Sequence, residues 1–125
     1  MPLAIASGAM LDDIEVVLKG TGLRERFRAV VAADHTPRSK PHPDPYLRAV
    51  EVLRMQGDLD GAAPATDVVA IEDSLWGLQS ARDAGLRTVA VTTSYPASAL
   101  EIADLVVPSL DALTLERLEA LVARR

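Results

Sequence analysis

Glu72 and Asp73 are adjacent carboxylates that directly follow the β-branched and apolar run Val68 to Ile71. Such a run predicts a strand buried on both faces, which places both acids at its carboxyl end. Ligands bind at that edge of an open α/β sheet. Two neighbouring carboxylates repel each other unless a cation stands between them, and their hard oxygens suit Mg²⁺. Acids at a strand end also serve as solvated caps, so the pair alone is not proof of a metal site. Ser74 is placed to cap the next helix. Leu75, Leu78 and Ala81 then share a face, Trp76 reads as a packing residue, and Gly85 suits a left-handed stop.

Two further stretches carry polar groups in suitable places. Ser7, Gly8 and Ala9 follow an apolar segment that ends at Ala6. A hydroxyl among free amides at the start of a helix suits a phosphate, although Ser-Gly after a strand also makes an ordinary turn. Lys40 lies in the loop Pro37 to Pro45, where prolines at 41, 43 and 45 hold their preceding residues extended. A lysine on stiff backbone can set a point charge against phosphate or against crowded carboxylates. Each stretch follows a predicted strand or lies a loop beyond one, so all three are expected to meet at one sheet edge.

The elements that must position these groups alternate along the chain. Strands are predicted over 2–6, 29–33, 68–71, 87–92 and 105–107. Leu11, Ile14, Val17 and Leu18 give the first helix one apolar face, and Gly20 and Gly22 stop it. Asp44 reads as the cap of a second helix with Pro45 at its first position. A short helix is expected over 97–103, and Thr114 caps a last helix with Leu115, Leu118, Leu121 and Val122 on its apolar face. Alternation of this kind predicts an α/β fold, a Rossmann-like parallel sheet with flanking helices. The whole span 1–125 reads as a single domain.

Bulk composition narrows the partners. The chain has 125 residues, 13 basic against 18 acidic, a net charge of −5 and 49% apolar residues. That balance disfavours nucleic acid, which needs a basic patch, and the apolar share disfavours disorder. Cysteine is absent, so disulfide and thiolate chemistry is excluded, and aromatics at 3% offer no base-stacking platform. No apolar run approaches the length of a membrane span, and a cytoplasmic location is the default expectation.

The chain resembles the haloacid dehalogenase superfamily of phosphohydrolases, in the branch of β-phosphoglucomutase-like and phosphoglycolate-phosphatase-like members. The matching residues are Ala4 to Gly8, Lys40-Pro41-His42-Pro43-Asp44, and Val69 to Ser74 with Gly77 and Ala84-Gly85. The resemblance covers nearly the whole chain. It implies a Mg²⁺-dependent phosphotransfer site for a small phosphorylated metabolite, a sugar phosphate or phosphoglycolate. Ser7, with the Gly8 and Ala9 stretch, would bind the phosphoryl group. Lys40 would balance charge on that group and on the nucleophile, and Glu72 and Asp73 would hold Mg²⁺ directly or through water.

One departure stands out. The family opens with an Asp-x-Asp motif at the end of a central strand, whose first Asp is the nucleophile, and then inserts a helical cap. Neither feature is found here, so the chain is expected to be the carboxy-terminal part of such an enzyme. Asp58-Leu59-Asp60-Gly61 spells the motif, but it follows no apolar strand and reads as a loop. Two alternatives remain: a non-catalytic fragment or decayed relative that keeps a metal or phosphate site, and a receiver-like signalling domain with Asp34 as the nearest acceptor. Exposed sheet edges would in addition favour dimerisation.

Overall fold

The computed structural model describes residues 1–124, which group into two compact units, 1–63 and 64–124. In the first unit the strand β1 (Ala4–Ala6) leads into the helix α1 (Leu11–Thr21), then β2 (Ala29–Val31) and α2 (Asp44–Met55). β1 and β2 pair in parallel with Ile5 opposite Val30. Ile14, Leu18 and Ala32 form a core with Ile5, Leu11, Phe27 and Val30 around it. α2 packs on both strands and buries Tyr46, Ala49, Val50 and Leu53. Gly22 ends α1 in the left-handed conformation, φ 70°, as the glycines beyond Lys19 led us to expect.

The second unit holds β3 (Val69–Glu72), α3 (Leu75–Asp83), β4 (Arg87–Val91), β5 (Leu105–Val107) and α4 (Leu115–Ala123). Its strands form a parallel sheet in the order β3-β4-β5. The middle strand explains the apolar run in the sequence. Side chains alternate across a strand, so Val89 and Val91 join Val107 and Leu121 on one face while Ala90 joins Leu78 and Leu100 on the other. α4 supplies Leu121 to the first layer and α3 supplies Leu78 to the second. Ser74 caps α3 by accepting from Gly77 N at 3.1 Å, and Thr114 caps α4 by accepting from Arg117 N at 3.1 Å.

Several local expectations need correction. Val17 is 65% exposed and Leu115 55% exposed, because each stands at the margin of its helix's apolar stripe rather than at its centre. Leu75 and Trp76 open α3 at its solvent side, and Trp76 at 68% exposed is no packing residue. Ile71 is 42% exposed although it belongs to a strand expected to be buried on both faces; β3 lies at the edge of its sheet. Asp44 is the first residue of α2 rather than its cap, and its carboxylate pairs with Arg38 at 3.0 Å instead. The segment expected as a helix over 97–103 is a single 3₁₀ turn, Ala97–Ala99. No helix among the described residues is long and apolar enough to cross a membrane.

Candidate functional site

In the first unit, Ser7 is the residue at which β1 leaves its ladder. Its amide donates to Val31 O at 2.9 Å, so the backbone is pinned to the end of β2. Its hydroxyl accepts from Ala9 N at 3.1 Å, which bends the chain into a tight turn toward α1. Gly8 and Ala9 are exposed, and nothing stands within 4 Å of the place a Cβ would take on Gly8. Ala9 O accepts from Ala33 N at 2.8 Å, which ties this turn to the segment after β2.

Lys40 reaches the same strand end. Its Nζ donates to Ala6 O at 2.9 Å. Leu3 O and Ser7 N both bond to β2, so by the alternation of a parallel strand Ala6 O points away from β2. Lys40 thus places its ammonium on the outer edge of β1, one residue before Ser7. The Nζ also stands 5.0 Å from the centroid of the buried Tyr46 ring, a cation–π contact that fixes the lysine stem from α2. The first unit therefore places Ser7 and the Lys40 ammonium at the same end of β1. Tyr46 is a supporting residue that the sequence reading missed. The signal was available, since six positions separate it from Lys40 and Pro45 starts the helix that carries it.

In the second unit, Glu72 and Asp73 diverge. Successive residues of an extended chain point to opposite sides. Glu72 is 8% exposed and its carboxylate lies against Gly77 in the first turn of α3, where a built Cβ would fall on the carboxylate itself. Asp73 is exposed, and its Oδ2 accepts from Ser94 Oγ at 2.8 Å. The two acids are thus not a symmetric pair. One is packed under a helix amino end, whose partial positive charge favours an anion, and the other faces water. Ser94, in the turn beyond β4, is a second residue that sequence spacing could not connect to Asp73.

The other acids and histidines singled out in the sequence either make local contacts or stand exposed. Asp58 pairs with Arg28 at 3.0 Å, and Asp60 Oδ1 accepts from Ala62 N at 2.8 Å, so the Asp-x-Asp look-alike is loop structure, as expected. Asp34 Oδ1 accepts from Leu11 N at 3.1 Å and caps α1 from a distance. His35 Nδ1 accepts from Ala32 N at 2.9 Å, and His42 is exposed.

A sequence profile of the haloacid dehalogenase-like hydrolases matches residues 1–91. The chain belongs to that family. It is 38% identical over 90 residues to the fructose-1-phosphate phosphatase YqaB of Escherichia coli, covering 72% of this chain and 44% of that protein. It is 41% identical over 98 residues to a phosphoglycolate phosphatase of Thiobacillus denitrificans, covering 75% of this chain and 39% of the relative. The structure of CbbY from Rhodobacter sphaeroides in complex with phosphate superposes with a TM-score of 0.78 at 31% identity, covering 95% of this chain and 52% of that one. The chain therefore spans about half the length, or less, of the proteins it matches. The α/β architecture with parallel strands and flanking helices agrees with these relatives.

The donor chemistry at the β3 end fits Mg²⁺ in part. Mg²⁺ is commonly held by one or two carboxylates, with waters and substrate phosphate completing an octahedron. Asp73 offers an exposed carboxylate of that kind, and Glu72 stands beside it in sequence but packed inward. Among the described residues no group of three or more His, Cys, Asp or Glu side chains is gathered as a metal cluster. The second unit thus provides a partial donor set rather than an all-protein cage.

Proposed function

We propose that this chain carries the phosphate-binding and metal-holding share of a Mg²⁺-dependent phosphatase acting on a small phosphorylated metabolite, a sugar phosphate or phosphoglycolate. The observation that carries the reading is the placement of Ser7 and the Lys40 ammonium at the end of β1, in a chain of the haloacid dehalogenase-like hydrolase family with several phosphatases among its relatives. The Ser7 hydroxyl and the amides of Gly8 and Ala9 would receive phosphate oxygens. The Lys40 ammonium would neutralise charge that grows on the phosphoryl oxygens as the bond to the leaving group lengthens. Asp73 would hold Mg²⁺ directly, and Glu72 would act from behind it or through water.

The reaction further needs a carboxylate nucleophile in line with the phosphorus. Asp58 and Asp60 are engaged in loop contacts and Asp34 caps α1, so none of them is assigned that role. In this proposal the span 1–125 is part of one catalytic domain and the nucleophile comes from outside these residues. The part of the relatives' length that this chain does not cover would also hold the groups that select among substrates.

Calorimetric titration of the chain with inorganic phosphate, with and without Mg²⁺, tests the proposal. Binding should depend on Mg²⁺ and weaken by roughly tenfold in Lys40→Ala, the scale of one lost charge-assisted hydrogen bond. Phosphate binding that ignores both Mg²⁺ and Lys40 would reject it.

A further inference from the structure

We infer that Ser94 is the positioning residue for Asp73, holding one carboxylate oxygen so that the other is presented to a divalent cation. The inference rests on the metal-holding role proposed for Asp73. Four observations support it.

First, β3 and β4 run in parallel with Glu72 opposite Ala90, so the chain just past each strand emerges at the same level. Thr92 N still donates to Val107 O at 3.1 Å, which anchors the start of the β4 loop to β5. Ser94 follows two residues later and returns to the β3 end. Second, the contact is well formed: Ser94 Oγ donates to Asp73 Oδ2 at 2.8 Å, within the ordinary range for a hydroxyl and a carboxylate.

Third, the bond has little structural work to do. Both residues are exposed, and water would satisfy either group in its absence. The capping of α3 is done by Ser74, and the β4–β5 junction is held by Asp104 Oδ2, which accepts from Thr88 N at 2.8 Å. Fourth, Asp73 stands on the exposed side of the chain, whereas Glu72 is turned inward against Gly77. An exposed aspartate samples several rotamers; a donor on Oδ2 selects one of them and leaves Oδ1 to meet a cation. Groups that hold a ligating side chain in this way commonly set metal affinity.

The experiment is a Mn²⁺ titration of the full chain, read by water-proton relaxation, for the wild type, Ser94→Ala, Ser94→Thr and Asp73→Asn. Thermal unfolding of each variant is followed in parallel. Ser94→Ala should weaken Mn²⁺ binding by roughly tenfold, and Ser94→Thr, which keeps the hydroxyl, by less than about threefold. Asp73→Asn should abolish the binding, and the unfolding midpoint of both Ser94 variants should stay at the wild-type value. Loss of binding in Asp73→Asn with no change in Ser94→Ala would overturn the role of Ser94 and leave the metal reading standing. A midpoint that falls in Ser94→Ala while Mn²⁺ affinity holds would show the bond to be structural. Mn²⁺ binding that is absent in the wild type, or unchanged in Asp73→Asn, would overturn the metal reading and this inference with it.

Discussion

Replacing Gly77 by alanine should destabilise the protein, although alanine is the better helix former. Gly77 is the third residue of α3, and alanine in a helix interior is worth about 1 kcal/mol over glycine. With open space at Gly77 the substitution would therefore stabilise. The space is taken: a Cβ there would fall on the Glu72 carboxylate, which is 8% exposed and engaged with its surroundings. Overpacking of this kind costs about 1–3 kcal/mol, and moving a buried polar group away from its partners costs about 1–3 kcal/mol more. Subtracting the helix gain leaves a net loss of roughly 1–5 kcal/mol. Urea unfolding followed by circular dichroism measures it. The sign should reverse when the carboxylate is removed first: in a Glu72→Ala background, Gly77→Ala should be neutral or stabilising by up to about 1 kcal/mol. A Gly77→Ala protein as stable as the wild type, or an equal loss in both backgrounds, would refute the packing of Glu72 against α3.

Other substitutions test neighbouring parts of the account. Leu78→Ala removes a side chain that is 0% exposed between α3 and β4, and should lower stability by about 2–5 kcal/mol in the same urea assay. Asp58→Asn weakens a pair in which the aspartate side chain is 11% exposed and that of Arg28 62%, and should cost about 1–3 kcal/mol while leaving Mg²⁺ and phosphate titrations unchanged. Thr114→Ala removes the cap of α4 and should cost about 1 kcal/mol, read from the urea midpoint.

Much of this arrangement could be read from the residues. The run Val68 to Ile71, the cap Ser74 and the glycine at 85 mark β3, α3 and its end because strand burial and helix capping are local rules. Gly85 indeed takes φ 88°. Ser7 and Lys40 were legible as candidate site residues, and their placement at the β1 end follows from the order of strand, turn and loop. The failures are tertiary. Nothing in the spacing of Glu72 and Asp73 says that one turns inward and the other outward; that depends on the room Gly77 leaves in α3. Ser94 and Asp73 are joined through the β3–β4 register, which no local pattern encodes. Trp76 is apolar and stands in a helix, yet it projects outward because the inner face is filled by Leu78 and Ala81.

The central claim is that Asp73 holds a divalent cation at the end of β3. A Mg²⁺ titration of the ¹⁵N-labelled chain by NMR tests it most directly. The account predicts saturable shifts centred on the amides of Asp73, Ser74 and Ser94, absent in Asp73→Asn. Shifts that centre instead on Asp58 to Asp60, or that survive in Asp73→Asn, would contradict it.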